Sequence, residues 1–126
     1  MLSSGKSSDF CIVIELASSE LAGFARGIPC EHADHSQYSG ELNKIYILKK
    51  SQRMGMGTGL IADVASHFLD RGIDSMLLFG SAENPSNAFY EALGAEKLFA
   101  RNGEFHGGYG WRDLKKLLTF ISSSFT

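Results

Sequence analysis

The 126-residue chain lacks most of the features that would mark a specialised class of protein. It has two cysteines, Cys11 and Cys30, too few for a disulfide framework, and they fit a reducing cytoplasm. Cys11 falls inside an apolar run and is expected to pack there as a small hydrophobe. The formal net charge of -2 leaves no electrostatic case for nucleic acid or an anionic membrane. Basic residues cluster only locally, at Lys49, Lys50 and Arg53 and again at Lys115 and Lys116, the second cluster reading as a solvated face. No apolar stretch has the length needed to span a bilayer. The apolar segment Phe10–Leu16 is short and carries Glu15, which makes it a poor signal-peptide core. His32 and His35 have no third ligand at a helpful spacing, so no metal is expected. Internal repeats are absent too.

What is present is ordinary for one globular domain with a continuous core: 44% apolar and 21% charged residues. Met1–Asp9 is polar and reads as a flexible start, leaving 10–126 as the domain. Phe10–Ala17 is a dense β-branched run that predicts a buried strand, and Leu21–Gly27 predicts its hairpin partner beyond a turn at Ser18-Ser19-Glu20. Ile28–Ser39 is a polar loop with Pro29 and two histidines. Glu41–Leu48 predicts a central strand, alternating at first and then continuously apolar, with its end covered on both faces. Leu60, Ile61, Val64 and Phe68 fall on one helical stripe that Gly72 ends. Ser75–Phe79 reads as a short buried strand. Asn84-Pro85 opens a second helix, with Asn84 as N-cap and Ala88, Phe89, Ala92 and Leu93 as the apolar face. Ala95–Ala100 and Phe105–Trp111 form a last hairpin around Arg101-Asn102-Gly103, and Leu114–Phe125 is an apolar tail that could dock as a helix. The order β-β-β-α-β-α-β-β implies an α/β (α+β) fold, a mixed sheet flanked by helices.

Chemistry concentrates in Gln52–Gly59, between a strand and a helix. Gly55, Gly57 and Gly59 let the backbone approach a ligand closely and gather N–H groups at a positive helix end, an arrangement that binds phosphate. The spacing is not the dinucleotide fingerprint G-x-G-x-x-G, and no G-K-[ST] for a nucleoside triphosphate is present. By itself such a loop could also serve only as a tight turn.

Gln52-Arg53-Met54-Gly55-Met56-Gly57 resembles the [Q/R]-x-x-G-x-[G/A] signature of the GNAT superfamily of N-acyltransferases, in the same strand-to-helix setting. Glu83–Ala95 is similar to that family's later helix, with its N…FYE-x-LGA pattern, and Tyr109–Leu114 resembles the ending of some bacterial members. The resemblance runs from about Phe10 to Leu114. It implies a GNAT-like, mostly antiparallel mixed sheet and direct transfer of an acetyl (acyl) group from acetyl-CoA to an amine of a small molecule or peptide.

Several roles follow from the resemblance. Backbone groups of Tyr46, Ile47 and Leu48 would hold the pantetheine arm of coenzyme A and polarise the thioester. Gln52, Arg53, Met54, Gly55, Met56, Gly57 and Thr58 would form the pyrophosphate loop, with Lys49, Lys50 and Arg53 as attracting charges. Asn84, Asn87 and Phe89 would contact the coenzyme from the later helix. Tyr90 stands where many members place a tyrosine that protonates the departing thiolate, as a neutral phenol can. Glu41, eleven residues before Gln52, matches the base glutamate of the histone-acetylating branch; Glu15, Glu104, His106 and Tyr109 are weaker candidates. His32 and His35 sit in a loop that could line the acceptor mouth. Most members carry a strand and one or two helices ahead of the hairpin that starts here at Phe10. The resemblance is thus to a shortened member, in which an exposed sheet edge or face would be covered by a second subunit in a homodimer. The alternatives are a coenzyme A binding module without turnover, and a dimeric interaction protein keeping only the fold.

Overall fold

The computed structural model describes residues 9–48 and 56–124. Expectations placed on residues 1–8, 49–55 and 125–126 lie outside the described residues. Within them the chain forms β1 (Phe10–Glu15), β2 (Leu21–Pro29), a 3₁₀ turn (Ala33–His35), β3 (Gly40–Ile47), α1 (Met56–Asp70), β4 (Met76–Leu78), α2 (Asn87–Ala92), β5 (Glu96–Phe99), β6 (Phe105–Trp111) and α3 (Leu114–Ser124). The six strands make one sheet in the order β1-β2-β3-β4-β6-β5. Every pairing is antiparallel except that of β3 with β4, the two strands that flank α1 in sequence.

All three helices pack on one face of this sheet. One cluster joins Leu60, Ile61, Val64, Ala65 and Phe68 of α1, Tyr90 of α2, and Leu114, Leu117 and Ile121 of α3 to Ala25, Leu42, Met76, Leu78, Tyr109 and Trp111 of the strands. The apolar stripe of α1 therefore does what its spacing predicts. Phe68, fully buried, lies over a floor with no side chains: a Cβ on Gly27 would come within 2.9 Å of its ring, and one on Gly40 within 2.8 Å. Asp113 caps α3, its Oδ1 accepting from the amides of Lys115 and Lys116 at 3.1 Å each. This fixes the predicted tail as a helix on α1.

Several expectations need correction. β1 is an edge strand with alternating burial, so only Phe10, Ile12 and Ile14 turn toward the core. Cys11 points the other way and is exposed rather than packed. The far end of β3 is covered on one face only: Ile45 and Ile47 meet the core, while Lys44 and Tyr46 are exposed. β2 runs on to Pro29, because Ile28 and Pro29 pair with Glu41 and Gly40. α2 begins at Asn87 with Ser86 as N-cap. Asn84 instead closes a turn, its Oδ1 accepting from the Ser86 amide at 2.8 Å. The buried side chains of this segment are Tyr90 and Leu93, while Ala88 and Ala92 are exposed.

The opposite sheet face is covered over β4 and β6 by the loop between β2 and β3, where Tyr38 is buried with its ring on Gly110. Over β1, β2 and β3 it leaves Val13 and Tyr46 exposed at 54% and 50%. Since Phe68 is the ring around which α1 seats on β2 and β3, Phe68→Ala should lower stability by about 3–5 kcal/mol. Chemical unfolding monitored by circular dichroism measures this, and a loss of under about 1 kcal/mol would contradict the packing described.

Candidate active site

The central feature is a bulge in β3. Arg26 pairs with Lys44 but its neighbour Gly27 pairs with Leu42, so Asn43 is an extra residue with no partner in β2. A bulge bends its strand and raises the local twist. Consistent with this, β3 pairs with β4 only at Gly40 and Glu41, although it continues to Ile47. From Leu42 onward the two parallel strands part, and no pairing among the described residues joins them, which leaves a slot between the strands in the pairing pattern. Side chains lock the bulge: Arg26 Nη1 donates to Asn43 Oδ1 at 3.1 Å, and Asn43 Nδ2 donates to Glu41 Oε2 at 3.3 Å. Sequence reasoning missed both Arg26 and Asn43. The signal was there in the spacing of Leu42, Ile45 and Ile47, where a step of three interrupts the period of two.

Tyr46, Ile47 and Leu48 lie at the open end of β3. The Leu48 amide donates to the Ala22 carbonyl at 2.6 Å, which ties that end to β2 and away from β4. Gln52, Arg53, Met54 and Gly55 lie outside the described residues. Met56, Gly57 and Thr58 form the first turn of α1, and a Cβ on Gly57 would stand 3.2 Å from the Phe89 ring. The start of α1 thus meets α2 directly, and a side chain at this position would require the Phe89 ring to shift by a few tenths of an ångström.

On α2, Asn87 Nδ2 donates to the carbonyls of Ser81 and Ala82 at 3.0 and 3.2 Å, bracing the preceding loop. Its Oδ1 is buried with no partner among the described residues. Tyr90 is buried among aromatic rings, with centroids 5.6 Å from Phe89, 5.8 Å from Tyr109 and 6.2 Å from Trp111. Burial pushes its phenol above the ordinary tyrosine range, so it carries its proton at neutral pH. Tyr109 sits beside it and donates to Glu91 Oε2. Trp111 Nε1 donates to the Leu93 carbonyl at 3.1 Å, fixing the end of α2 to β6.

Glu41 lies on the other face, at the point where β3 and β4 part. Its side chain is 12% exposed, with Oε1 3.2 Å from His32 Nε2. The His32 ring meets Phe79 edge-on at 4.7 Å, and His35 approaches the same ring at 5.8 Å. These groups open on a cleft of about 560 Å³ lined by His32, Ala33, Asp34, His35, Phe79, Ala100 and Arg101. Arg101 closes its rim through Asp34, with Nη2 at 2.7 Å from Oδ1. The weaker candidates fall elsewhere. Tyr109 is fully buried on the helix-covered face, Glu15 points outward from β1, and Glu104 pairs with His106 at 3.4 Å on the β5–β6 hairpin. The structure therefore brings Gly57, Phe89 and Tyr90 together on the helix-covered face, with Asn87 on the same helix, and pairs Glu41 with His32 on the other face. No group of three or more His, Cys, Asp or Glu that could hold a metal occurs among the described residues, and no helix among them is long and apolar enough to cross a membrane.

A six-stranded mixed sheet whose parallel pair parts at a bulge, with a glycine-opened helix between the two strands, defines the fold of GNAT N-acetyltransferases. The family model described as FR47-like protein matches residues 30–103, and the chain belongs to this family within the GNAT superfamily. It is 37% identical over 106 residues to the uncharacterised N-acetyltransferase YuaI of Bacillus subtilis (strain 168). That match covers 79% of this chain but only 61% of the relative, so the chain spans about three-fifths of the length of that protein. Among solved structures it is similar to a GNAT-family acetyltransferase of Staphylococcus aureus Mu50, with a TM-score of 0.70 at 17% identity over 86% of this chain and 69% of the other. The spermidine/spermine N-acetyltransferase SpeG of Vibrio cholerae gives a TM-score of 0.63 at 22% identity, over 90% and 69%. At these identities the structural matches establish the fold alone.

Tyr109 gives the aromatic side of the site a measurable signature. Burial, the hydrogen bond to Glu91 and the charge of that carboxylate push its phenol up to about 12. The folded state thus holds this proton more tightly than the unfolded chain, whose tyrosines titrate near 10. The favourable contribution is intact below about pH 10 and is lost as pH rises toward 12. Ultraviolet titration should show late-ionising tyrosine, and Tyr109→Phe should lower the amplitude of the latest phase by one residue, leaving the contribution of Tyr90. An unchanged latest phase in Tyr109→Phe would contradict the assignment.

Proposed function

We propose that this chain is an N-acetyltransferase that moves an acetyl (acyl) group from acetyl-CoA to an amine of a small molecule or peptide by direct attack. The observation that carries this reading is the slot between β3 and β4, opened by the bulge at Asn43 and faced by the glycine-containing start of α1. A pantetheine arm entering it would run beside the backbone of Tyr46, Ile47 and Leu48. The amides at Gln52–Thr58 would meet the pyrophosphate at the positive end of the 15-residue α1. Asn87, with a buried carbonyl oxygen to satisfy, and Asn84 and Phe89 would border the coenzyme from α2.

The chemistry needs a neutral amine, a polarised carbonyl and a protonated leaving group. Tyr90 supplies the last: its buried phenol keeps its proton at neutral pH and gives it to the departing thiolate. Glu41 supplies the carboxylate on the base side. The fold match to an enzyme named for spermidine and spermine supports a small-molecule amine as acceptor. The free cysteines agree with a cytoplasmic site, and the low net charge with the absence of nucleic acid and membrane partners. The exposed Val13, Leu21 and Tyr46 on and beside the β1 edge favour a homodimer built over that face. Sedimentation should then show a dimer that Val13→Asp converts to monomer; a monomer at every concentration would exclude it.

Acetyl-CoA at a hundred times its dissociation constant should stabilise the fold by about 2.7 kcal/mol, visible as a rise in melting temperature, and desulfo-coenzyme A should do the same. Gly57→Val, which forces a side chain against Phe89, should abolish the rise. Tyr90→Phe should keep the rise while slowing thiol release on the order of 100-fold. A folded protein whose melting temperature responds to neither coenzyme would sink the acetyltransferase reading.

A further inference from the structure

We propose that the group that takes the proton from the attacking amine is His32, with Glu41 as the positioning residue behind it, and that the cleft between His32, Phe79 and Arg101 seats the acceptor. This rests on the acetyltransferase reading and assigns the base within it. Three observations carry it.

The first is access. Glu41 is only 12% exposed, and the residues that line the cleft include His32 but not Glu41. An amine entering the cleft meets the imidazole, whose side chain is 49% exposed, before it can reach the carboxylate.

The second is occupancy. Both oxygens of Glu41 are engaged, Oε2 by Asn43 Nδ2 at 3.3 Å and Oε1 by His32 Nε2 at 3.2 Å. Asn43 is in turn held by Arg26, so the bulge that opens the slot also fixes the carboxylate's orientation. A carboxylate held from two sides is built to orient a donor rather than to receive a mobile substrate. When His32 is neutral, its contact with Glu41 places the ring proton on Nε2 and leaves the lone pair on Nδ1.

The third is positioning of the ring itself. Phe79 packs on its face-to-edge side at 4.7 Å, and the 3₁₀ turn Ala33–His35 follows it directly, with the His35 amide donating to the His32 carbonyl at 3.1 Å. Backbone, aromatic ring and carboxylate together hold the imidazole at the cleft wall. The titratable or charged groups around it are Cys30, Glu31, Asp34 and His35 of its own loop, Glu41 of β3 and Arg101 of the β5–β6 turn. Cys30 stays a thiol at neutral pH because burial raises it, and Arg101 is committed to Asp34.

The acceptor enters as an ammonium ion, and Nδ1 of His32 takes one of its protons. The freed nitrogen lone pair forms the new N–C bond at the thioester carbonyl. Collapse of the adduct breaks the C–S bond and the sulfur leaves with the proton from Tyr90; the second proton of the nitrogen goes to solvent, and the Tyr90 phenolate takes one back. His32 then returns its proton to solvent, giving amide, free thiol and one proton overall.

Thiol release from acetyl-CoA is measured against pH with a panel of primary amines comprising spermidine, benzylamine and a short peptide. His32→Gln should lower kcat/KM for the best amine about 100-fold and remove the acid limb of the pH profile, with acetyl-CoA binding by calorimetry unchanged. Added imidazole should restore part of the rate to His32→Ala, which a merely structural role would not allow. Because the two residues act as a unit, His32→Gln combined with Glu41→Gln should be no slower than the slower single variant. If His32→Gln stays within about twofold of the parent rate and keeps the acid limb, while Glu41→Gln is slow, Glu41 meets the amine itself and the proposal falls with the acetyltransferase reading intact. If the unaltered chain releases thiol with none of the amines, both fall together.

Discussion

One backbone irregularity organises the molecule: the extra residue Asn43 in β3. A strand can satisfy a neighbour on each side only while its pleat keeps step with both. β3 keeps step with β2 along its length by absorbing the extra residue, and it loses β4 after Glu41 in consequence. Past Glu41 the facing edges of β3 and β4 meet no neighbouring strand among the described residues, a condition a sheet interior normally avoids. An extended polar arm lying between the strands would supply the missing partners. On the proposed reading, the bulge thus leaves backbone groups that a ligand of that shape would satisfy.

The two faces of the sheet then take different work. The face under α1, α2 and α3 is dry and aromatic, and it holds Tyr90 and Tyr109 as protonated phenols by withholding water from them. The other face is half open and carries the polar chain Arg26–Asn43–Glu41–His32. A reaction that gives up a proton at one atom and gains one at another benefits from this separation. The proposed proton donor lies on the dry face and the proposed proton acceptor on the half-open one, and the two faces meet where β3 and β4 part.

Much of this was legible in the chain because it follows from period and punctuation. The 3.6-residue stripe of α1, the glycine-turned hairpin at Arg101-Asn102-Gly103 and the strand order up to β6 all come from local patterns that the tertiary structure leaves in place. What was not legible depends on position within the sheet. Cys11 sits in a run as apolar as any core strand, and it is exposed because β1 lies at an edge that no helix covers on that side. Asn84 has the right chemistry for a helix cap, but the chain makes a turn first and the helix starts three residues on. The pairing of His32 with Glu41 could not be read at all. The two residues lie in a loop and on a strand, and only the bulge and the return of β2 into β3 bring them together.

That last pairing also explains why the loop between β2 and β3 is long and polar yet well anchored. The Cys30 amide donates to the Ser39 carbonyl at 2.9 Å, and the Ser39 amide donates to Ser75 Oγ at 2.9 Å, so both ends are tied to the sheet beside β4. Tyr38 is pressed onto Gly110, where any side chain would displace it. With its ends and its aromatic anchor fixed, the segment carrying His32 and His35 has little freedom left except at its solvent side, which is the wall of the cleft. A loop whose only task was to join two strands would need two to five residues. The additional residues here bring an imidazole to a half-buried carboxylate and line the cleft beside Phe79. The segment's length and anchoring support the acceptor-binding role proposed for it, beyond that of a connector.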